Sequence, residues 1–184
     1  MIRLALIALL LATMLVTLLG QPMFPPTGSW IKYSGNPILL PQGQGFESRA
    51  VFNPAAIVRD HSIYLLYRAQ DRQGVSRIGL ARSRDGLHFE RLAQPVLTPE
   101  HDYERRGVED PRIVQFGDTY YLTYTAYDGQ AAKLALATSK DLIHWKEQGL
   151  LLPKLYWSKS GTVVDPQDWT DLLEKGRVQE GGPR

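Results

Sequence analysis

The amino-acid sequence predicts an all-β fold assembled from β-propeller blades. Short runs rich in Tyr, Val, Ile and Leu alternate with Gly, Asp and Asn, which is typical of strands joined by turns. The two clearest strands, SIYLLYRA (62–69) and TYYLTYTA (119–126), match residue for residue at an offset of 57. Self-similarity at this length, with several strands in each unit, is typical of propeller blades.

Further segments repeat at nearly the same spacing. IGLARSRDGLHF (78–89) corresponds to LALATSKDLIHW (134–145), and NPAAIV (53–58) corresponds to DPRIVQ (110–115). Each unit closes on a similar tetrapeptide: ILLP, VLTP and LLLP. The repeat therefore predicts at most two complete blades and part of a third, which would begin at YWSKSGTVV (156–164).

The repeated Ser-x-Asp-x-x-His-aromatic pattern is interpreted as structural. Its aspartates, Asp85 and Asp141, are expected to cap backbone N–H groups in β-turns. The aromatic residues are expected to fill the gap between blades: Phe89 and Trp145. Because the histidines recur within this unit, we expect them to be architectural rather than catalytic: His88 and His144.

The N-terminal segment 1–20 is strongly apolar after Arg3 and predicts a helix. At about 1.5 Å per residue the apolar run would reach about 25 Å, slightly short of a typical hydrocarbon core of about 30 Å. A secretory signal peptide is therefore favoured, and an uncleaved membrane anchor is the alternative. Either one predicts an exported or membrane-anchored protein that meets the membrane only through this segment.

The remaining chain divides by composition into three parts. Residues 21–34 form a proline-rich spacer that should be extended and exposed. Residues 35–161 carry the repeat and form the partial propeller. Residues 162–184 form a polar tail, with a short helix expected over 168–175.

Composition excludes several classes of site. The formal charge of +2 is spread over 21 basic and 19 acidic residues, so nucleic acid is not expected as a partner. The absence of cysteine excludes disulfides, thiolate metal sites and a cysteine nucleophile. No metal site is predicted.

Function is expected where equivalent positions of the repeat differ. Asn53 of one unit becomes Asp110 in the next, and Arg68 becomes Thr125. Innermost propeller strands surround a central channel, so these positions are candidates for one common pocket. A carboxylic acid there suits a general acid, whereas Asn and Arg suit binding of sugar hydroxyls or an anion. A polar turn remains the alternative interpretation of Asp110.

Several segments together resemble the β-mannoside phosphorylases and mannosidases numbered 130 among glycoside hydrolases. The resemblance runs from about residue 36 to about residue 161 and rests on these segments: AVFNPAAIV followed by YLLYRA, SRIGLARSRDGLHFERLAQPVLTP, GVEDPRI, YYLTYTAYDG and LALATSKDLIHWKEQG. It implies a five-bladed β-propeller, of which this chain holds about two to three blades. Five blades need close to 300 residues at roughly 55–60 residues each, so we expect a truncated propeller. Such a chain is expected to be a poor enzyme alone. Its open faces would favour a homo-oligomer.

The resemblance also implies an activity. Family members cleave β-mannosidic bonds, mostly with inorganic phosphate as co-substrate, and release α-mannose 1-phosphate with inversion; some use water. Asp110 matches the general acid, which passes its proton through a sugar hydroxyl. Asn53 and Arg68 match positions in the β-mannoside pocket. No other cofactor is implied.

Four further residues are assigned by this resemblance or left between two roles. Asp128 is expected near the pocket or, as an alternative, in a turn before Gly129. Lys159 is a candidate for binding phosphate, with a solvated lysine as the alternative. Glu109 is expected to be a hydrogen-bond partner rather than a second acid. Arg112 is expected to point away along its strand or to clamp a loop.

The sequence therefore supports three functions. The first is a β-mannoside phosphorylase, and the second is a β-mannosidase of the same family. The third is a catalytically inactive, carbohydrate-binding fragment. A propeller hydrolase acting on arabinan or fructan is less supported, because such enzymes use several carboxylates and only Asp110 has a convincing place.

Overall fold

The computed structural model of the chain describes residues 31–164. This part is all-β, as predicted, with one short 3-10 helix at Asp102–Glu104 and no α-helix among the residues described. The strands are β1 (Ala50–Arg59), β2 (Ser62–Gln70), β3 (Ser76–Ser83), β4 (Glu90–Arg91), β5 (Gly107–Phe116), β6 (Thr119–Tyr127), β7 (Ala132–Ser139) and β8 (Lys146–Leu150).

The strands form two antiparallel units of four, blade one (β1–β4) and blade two (β5–β8). Within each blade, neighbours in sequence are neighbours in the sheet. The blades join through one parallel backbone pairing, between Ser76 of β3 and Gly107 of β5. The two inner strands, β1 and β5, also lie close together. Each sequence repeat is therefore one blade, which confirms the interpretation of the repeat.

The main hydrophobic core lies between the blades. Successive side chains of a strand point to opposite faces, so Leu66 and Tyr67 of β2 enter different clusters. Leu66 packs with Ile78 of blade one and with Leu122 and Tyr124 of blade two, and all four are buried. Tyr67 lies in a smaller cluster on the other face of blade one. The blades therefore stack face to face.

The two repeated aromatic residues have different surroundings. Trp145 packs against the core between the blades, as predicted. Phe89 instead packs on the opposite face of blade one, with Leu39 and Phe46. The prediction that both fill the gap between blades is therefore confirmed for Trp145 and stays a prediction for Phe89. Phe89 lies on the face of blade one that turns away from blade two, where it packs against the loop before β1.

The turns predicted at Asp85 and Asp141 are confirmed. Oδ1 of Asp85 accepts backbone N–H bonds from Leu87 and His88 at 2.9 Å, and Asp141 repeats this pattern. The hydrogen bond from His88, followed by these backbone bonds, lowers the pKa of Asp85. His88 and His144 each contact their own turn aspartate and are highly exposed, so they hold turns on the surface.

The segment 156–164 lies where a third inner strand would begin, although none of its residues is assigned to a strand. The backbone N–H of Ser158 donates to the carbonyl of Ala132 at 2.9 Å. Ala132 occupies in blade two the position that Ser76 occupies in blade one. Because Ser76 pairs with the first residue of β5, the contact is consistent with the predicted start of a third unit.

Several predictions fall on residues that the structure does not describe. The apolar segment 1–20, most of the spacer and the tail helix at 168–175 lie outside residues 31–164. Residues 31–36 belong to a separate unit of the chain and are exposed. Among residues 31–164, no helix has the length and apolar character needed to cross a membrane.

Gly107 is expected to be sensitive to substitution because it forms the bridge between the blades. A Cβ atom there would lie 2.7 Å from the Cβ of Ser76 and 3.1 Å from its backbone nitrogen. Gly107→Ala is therefore expected to lower the free energy of unfolding by about 1–3 kcal/mol, the usual cost of overpacking. Urea denaturation followed by tryptophan fluorescence would measure the change.

Gly45→Ala is the matched control for this prediction. A Cβ at Gly45 would have no heavy atom within 4 Å, and the backbone there is not left-handed. We expect this variant to unfold at nearly the wild-type urea concentration. Equal midpoints for the two variants would contradict the proposed tight bridge.

Candidate active site

Both inner strands contain a β-bulge at the same point of the repeat. The pairing register shifts across Asn53–Pro54 in β1 and across Asp110–Pro111 in β5. Asn53 has φ of 47° and Asp110 has φ of 50°, a left-handed conformation that Asn and Asp adopt more readily than most residues. Proline has no N–H to lose, so it suits the unpaired bulge position. The sequence therefore builds two equivalent kinks, one in each blade.

These kinks bring Asn53, Asp110 and Arg68 together. Nδ2 of Asn53 donates to Oδ1 of Asp110 at 2.7 Å, although the residues lie 57 positions apart. Nη1 of Arg68, on β2, donates to the same oxygen at 3.3 Å. Among the described residues, every side-chain hydrogen bond to the Asp110 carboxyl ends at Oδ1. Oδ2 therefore has no partner in this part of the chain.

Arg68 is held in place by three further contacts. Its Nη2 donates to Oε1 of Glu109 at 2.5 Å, and its Nε donates to Oγ of Ser76 at 3.0 Å. The guanidinium carbon lies 4.5 Å from the centre of the Phe52 ring, within range of a cation–π interaction. Ser76 in turn donates to Oε1 of Glu109 at 3.1 Å. Arg68 therefore bridges the adjacent carboxylates Glu109 and Asp110 across the blade boundary.

Glu109 acts in this network as a buried partner of Arg68. Its side chain is 13% exposed and that of Arg68 is 16% exposed. Burial raises the pKa of Glu109, and the charge of Asp110 adds to the rise, while Arg68, the hydrogen bond from Ser76 and the charge of Lys159 oppose it. The carboxylate is thus engaged with donors, which agrees with the role expected for Glu109. Lys159 is exposed and forms no hydrogen bond or ion pair with this cluster among the described residues, so its role in binding phosphate stays a prediction.

An open cavity of about 580 Å³ lies over the two bulges. It is lined by Asn53–Ala56, Asp110–Ile113 and Thr162. Its volume falls within the range of small-molecule sites, roughly 300–1,000 Å³. The cavity therefore places the Asp110 carboxyl and the Asn53 amide where a small polar ligand can reach them.

Arg112 differs from its expected position. It lines the cavity, and its Nη1 donates to the backbone carbonyl of Asp110 at 3.2 Å. The expectation that it points away or clamps a loop is therefore wrong. The shift in register at the bulge changes the direction of the residues that follow it, and the side chain returns over Asp110.

Asp128 is not part of the cluster. Its Oδ1 accepts the backbone N–H groups of Gln130 and Ala131, both at 2.7 Å, in the turn between β6 and β7. These two bonds lower the pKa of Asp128. The structure places its carboxylate in the turn, which is the alternative that the sequence left open.

The Glu109–Ser76 part of the network was not found from the sequence as a site. The signal was nevertheless present in the repeat. Glu109 corresponds to Phe52 in blade one, and Ser76 corresponds to Ala132 in blade two. At both positions the residue type changes between the blades, and this change is the signal that marks them.

The arrangement suits transfer of a proton to a polar ligand. A carboxyl oxygen that lies at a cavity wall and lacks internal partners can hold the proton. Asn53 and Arg68 fix the other oxygen of Asp110, so the group is oriented before a ligand enters. Among the described residues, Asp110 is the only carboxyl group that lines the cavity. The adjacent Glu109 is paired with Arg68.

Comparisons with known proteins agree with this geometry. A family model described as β-1,4-mannooligosaccharide phosphorylase, of glycoside hydrolase family 130, matches residues 29–166. A 1,2-β-oligomannan phosphorylase of Thermoanaerobacter sp. (strain X514) is 41% identical over 132 residues, covering 66% of this chain and 45% of the relative. A β-1,2-mannobiose phosphorylase of the same strain is 36% identical over 138 residues, covering 66% and 46%.

A solved structure extends the match to the fold. It comes from work on glycoside hydrolases of family 130 that target β-1,2-mannosidic linkages in Candida mannan. It superposes with a TM-score of 0.65 and 34% identity, covering 74% of this chain and 45% of that chain. The chain thus spans about half the length of the curated relatives it matches. With the family model matching most of its length and two blades built on the family's motifs, the chain belongs to glycoside hydrolase family 130.

Proposed function

We propose that this chain contributes the acid-bearing half of a β-mannoside phosphorylase. The observation that carries the proposal is the Asp110 carboxyl, held at Oδ1 by Asn53 and Arg68 beside an open cavity. The two described blades then form part of a five-bladed ring. In that ring the bulges of β1 and β5 lie at the inner end of the substrate pocket.

In the proposed reaction an oxygen of inorganic phosphate attacks the anomeric carbon of the terminal mannose. The attack comes from the face opposite the glycosidic oxygen, and the bond between the anomeric carbon and that oxygen breaks. The configuration at the anomeric carbon therefore inverts. Asp110 supplies the proton that neutralises the leaving oxygen, relayed through a sugar hydroxyl. The products are α-mannose 1-phosphate and the shortened mannoside. Phosphate is the nucleophile, so a second carboxylate for activating water is not required.

The neighbouring residues bind and orient the reactants. The Asn53 amide both fixes Asp110 and lines the cavity, so it is placed to bind a sugar hydroxyl. Arg68 is already paired with Glu109 and Asp110, so binding of the anionic co-substrate is proposed for Lys159. Asp128 is proposed to hold the turn between β6 and β7 rather than the sugar.

We propose β-1,2-linked mannosides as the substrate class. Two relatives in this comparison are named for 1,2-β-oligomannan and β-1,2-mannobiose, and the solved relative comes from work on β-1,2 linkages. The family model carries a β-1,4 description, so β-1,4-mannobiose is the competing substrate. The solved relative comes from work on hydrolases within this family, so a β-mannosidase, in which water replaces phosphate, is the second candidate function.

Dependence on phosphate is the direct test. The full chain is incubated with β-1,2-mannobiose, with and without inorganic phosphate, and products are followed by ³¹P and ¹H NMR. We expect α-mannose 1-phosphate only when phosphate is present. Equal release of mannose without phosphate would support the hydrolase. Binding of mannobiose with no turnover in either condition would identify a carbohydrate-binding fragment. β-1,4-Mannobiose is run in parallel, and faster turnover of it would overturn the proposed linkage.

A further inference from the structure

A buried acidic cluster lies in blade two, apart from the candidate active site. It consists of Glu104 from the 3-10 helix, Glu147 from β8 and His101, and we name it the blade-two acidic cluster. One ligand atom from each residue lies within 4.8 Å of the other two. None of these residues lines the cavity over the bulges. The proposed phosphorylase mechanism does not use them.

Blade one has an equivalent cluster with balanced charge. Its buried Glu47 accepts hydrogen bonds at Oε2 from the Tyr67 hydroxyl at 2.8 Å and from Arg91 at 2.9 Å. Gln42 donates to the other oxygen at 2.8 Å. Arg91 comes from the outer strand β4, where it is paired with Ala81. The carboxylate therefore has a cationic partner that ties the outer strand to the loop before β1.

Blade two keeps the acid and the tyrosine but lacks the arginine. Glu104 is fully buried, and its Oε2 accepts the Tyr124 hydroxyl at 3.1 Å, as Glu47 does from its own tyrosine. The position of Arg91 is taken by Glu147, which is paired with Ala137 of β7 as Arg91 is with the equivalent alanine of β3. A second carboxylate therefore stands where blade one has a cation. The ion pair has become a like-charge pair.

Glu147 is buried without a hydrogen-bond donor. Its side chain is 10% exposed, and within residues 31–164 neither carboxylate oxygen accepts a hydrogen bond. Nε2 of His101 lies 3.0 Å from Oε2 of Glu147, without the alignment of a hydrogen bond. Within residues 31–164 no lysine or arginine pairs with Glu104 or Glu147, so the two carboxylates lack the cation that Arg91 supplies in blade one.

We propose that the blade-two acidic cluster binds one divalent cation of the zinc class, through His101 Nε2 and one carboxylate oxygen each of Glu104 and Glu147. A set of one imidazole nitrogen and two carboxylate oxygens suits Zn²⁺, which binds both at about 2.0–2.2 Å. Ligand atoms around such an ion lie roughly 3–4 Å apart, so small side-chain shifts from the observed separations bring all three into contact.

The ion takes the place of the arginine in blade one. It ties the outer strand β8 to the 3-10 helix that precedes β5. The His101 ring stacks on Tyr103, with 4.9 Å between ring centres, and this contact restricts rotation of the imidazole. A half-exposed His101 also leaves a route for the ion to enter from solvent. The inference does not depend on the proposed reaction, because no residue is shared between the two sites.

The test is binding of Zn²⁺ by the full chain after treatment with EDTA. Isothermal titration with ZnCl₂ is expected to give one equivalent, and saturating zinc is expected to raise the melting temperature by several degrees. Glu147→Gln, which preserves shape, is expected to weaken binding at least tenfold. Glu147→Arg restores the charge pattern of blade one and is expected to abolish the response to zinc while melting above the metal-free wild type.

Controls make each outcome decisive. His88→Gln alters an exposed histidine outside the cluster and is expected to bind zinc as the wild type does. Undiminished affinity in Glu147→Gln, or absence of saturable binding in the wild type, would overturn the proposal in favour of a proton shared by the two carboxyls. CaCl₂ and MgCl₂ are titrated in parallel, and tighter binding of either would exclude the zinc class.

Discussion

Asp110→Asn is expected to lower the rate of phosphorolysis by at least about 100-fold, since a positioned general acid typically contributes 10²–10⁴-fold. Asparagine tolerates the left-handed backbone at this bulge, where φ is 50°. Its side-chain oxygen can still accept the bonds from Asn53 and Arg68, so the pocket is preserved. What is lost is the proton. Formation of α-mannose 1-phosphate from β-1,2-mannobiose measures the rate, and calorimetry measures sugar binding.

Asp60→Asn is the matched control for this prediction. Asp60 also has a left-handed backbone, with φ of 47°, but it lies in the exposed turn between β1 and β2. The same chemical change there should leave both turnover and binding unaltered. Retention of the wild-type rate in Asp110→Asn would remove the proposed acid. Loss of sugar binding together with rate would indicate a binding role instead.

Arg68→Met is expected to lower the free energy of unfolding by about 3 kcal/mol, near the lower end of the cost of breaking a buried ion pair. Methionine keeps much of the apolar stem but leaves the Glu109 carboxylate, which is 13% exposed, without its cation. The substitution also removes the hydrogen bond that Arg68 donates to Asp110, and it removes the cation–π contact with the Phe52 ring. Urea denaturation at neutral pH measures the loss.

The deficit of Arg68→Met is expected to depend on pH. Burial already raises the pKa of Glu109 in the folded chain, and removing Arg68 raises it further. A carboxyl with a raised folded pKa favours folding most when it is protonated, below its unfolded pKa of about 4.3. That advantage is lost as pH rises through the folded pKa. The deficit relative to wild type should therefore be largest near neutral pH and shrink toward about pH 5.

Two further variants test the cause. Adding Glu109→Gln to Arg68→Met removes the unpaired charge and is expected to recover part of the stability at neutral pH. Arg59→Ala breaks an exposed pair with Asp60 and should change stability little. A deficit that is independent of pH and unaffected by Glu109→Gln would show that the arginine matters only through its packing.

The sequence by itself determined the blades and the most informative position of the site. Repetition at 57 residues marks the strand pairs, because each blade must present the same alternation of buried and exposed residues to its neighbours. The two (Asn/Asp)-Pro steps mark the bulges, because few residues adopt that backbone conformation. The change from Asn53 to Asp110 at one repeat position was therefore visible without coordinates, as was the family resemblance.

Only the tertiary structure decided which side chains meet across the blade boundary. Arg68, Glu109 and Ser76 come from three strands in two blades, and no spacing along the chain encodes their contact. The exchange of Arg91 for Glu147 was likewise present in the repeat. Its consequence became visible only in the fold, where each residue lies beside the buried glutamate of its own blade. The physical reason is that the alternation of side chains sets which face of a strand is buried, whereas charge pairing depends on neighbours supplied by other strands. The sequence therefore determined the scaffold and Asp110, and the packing of two blades determined the partners.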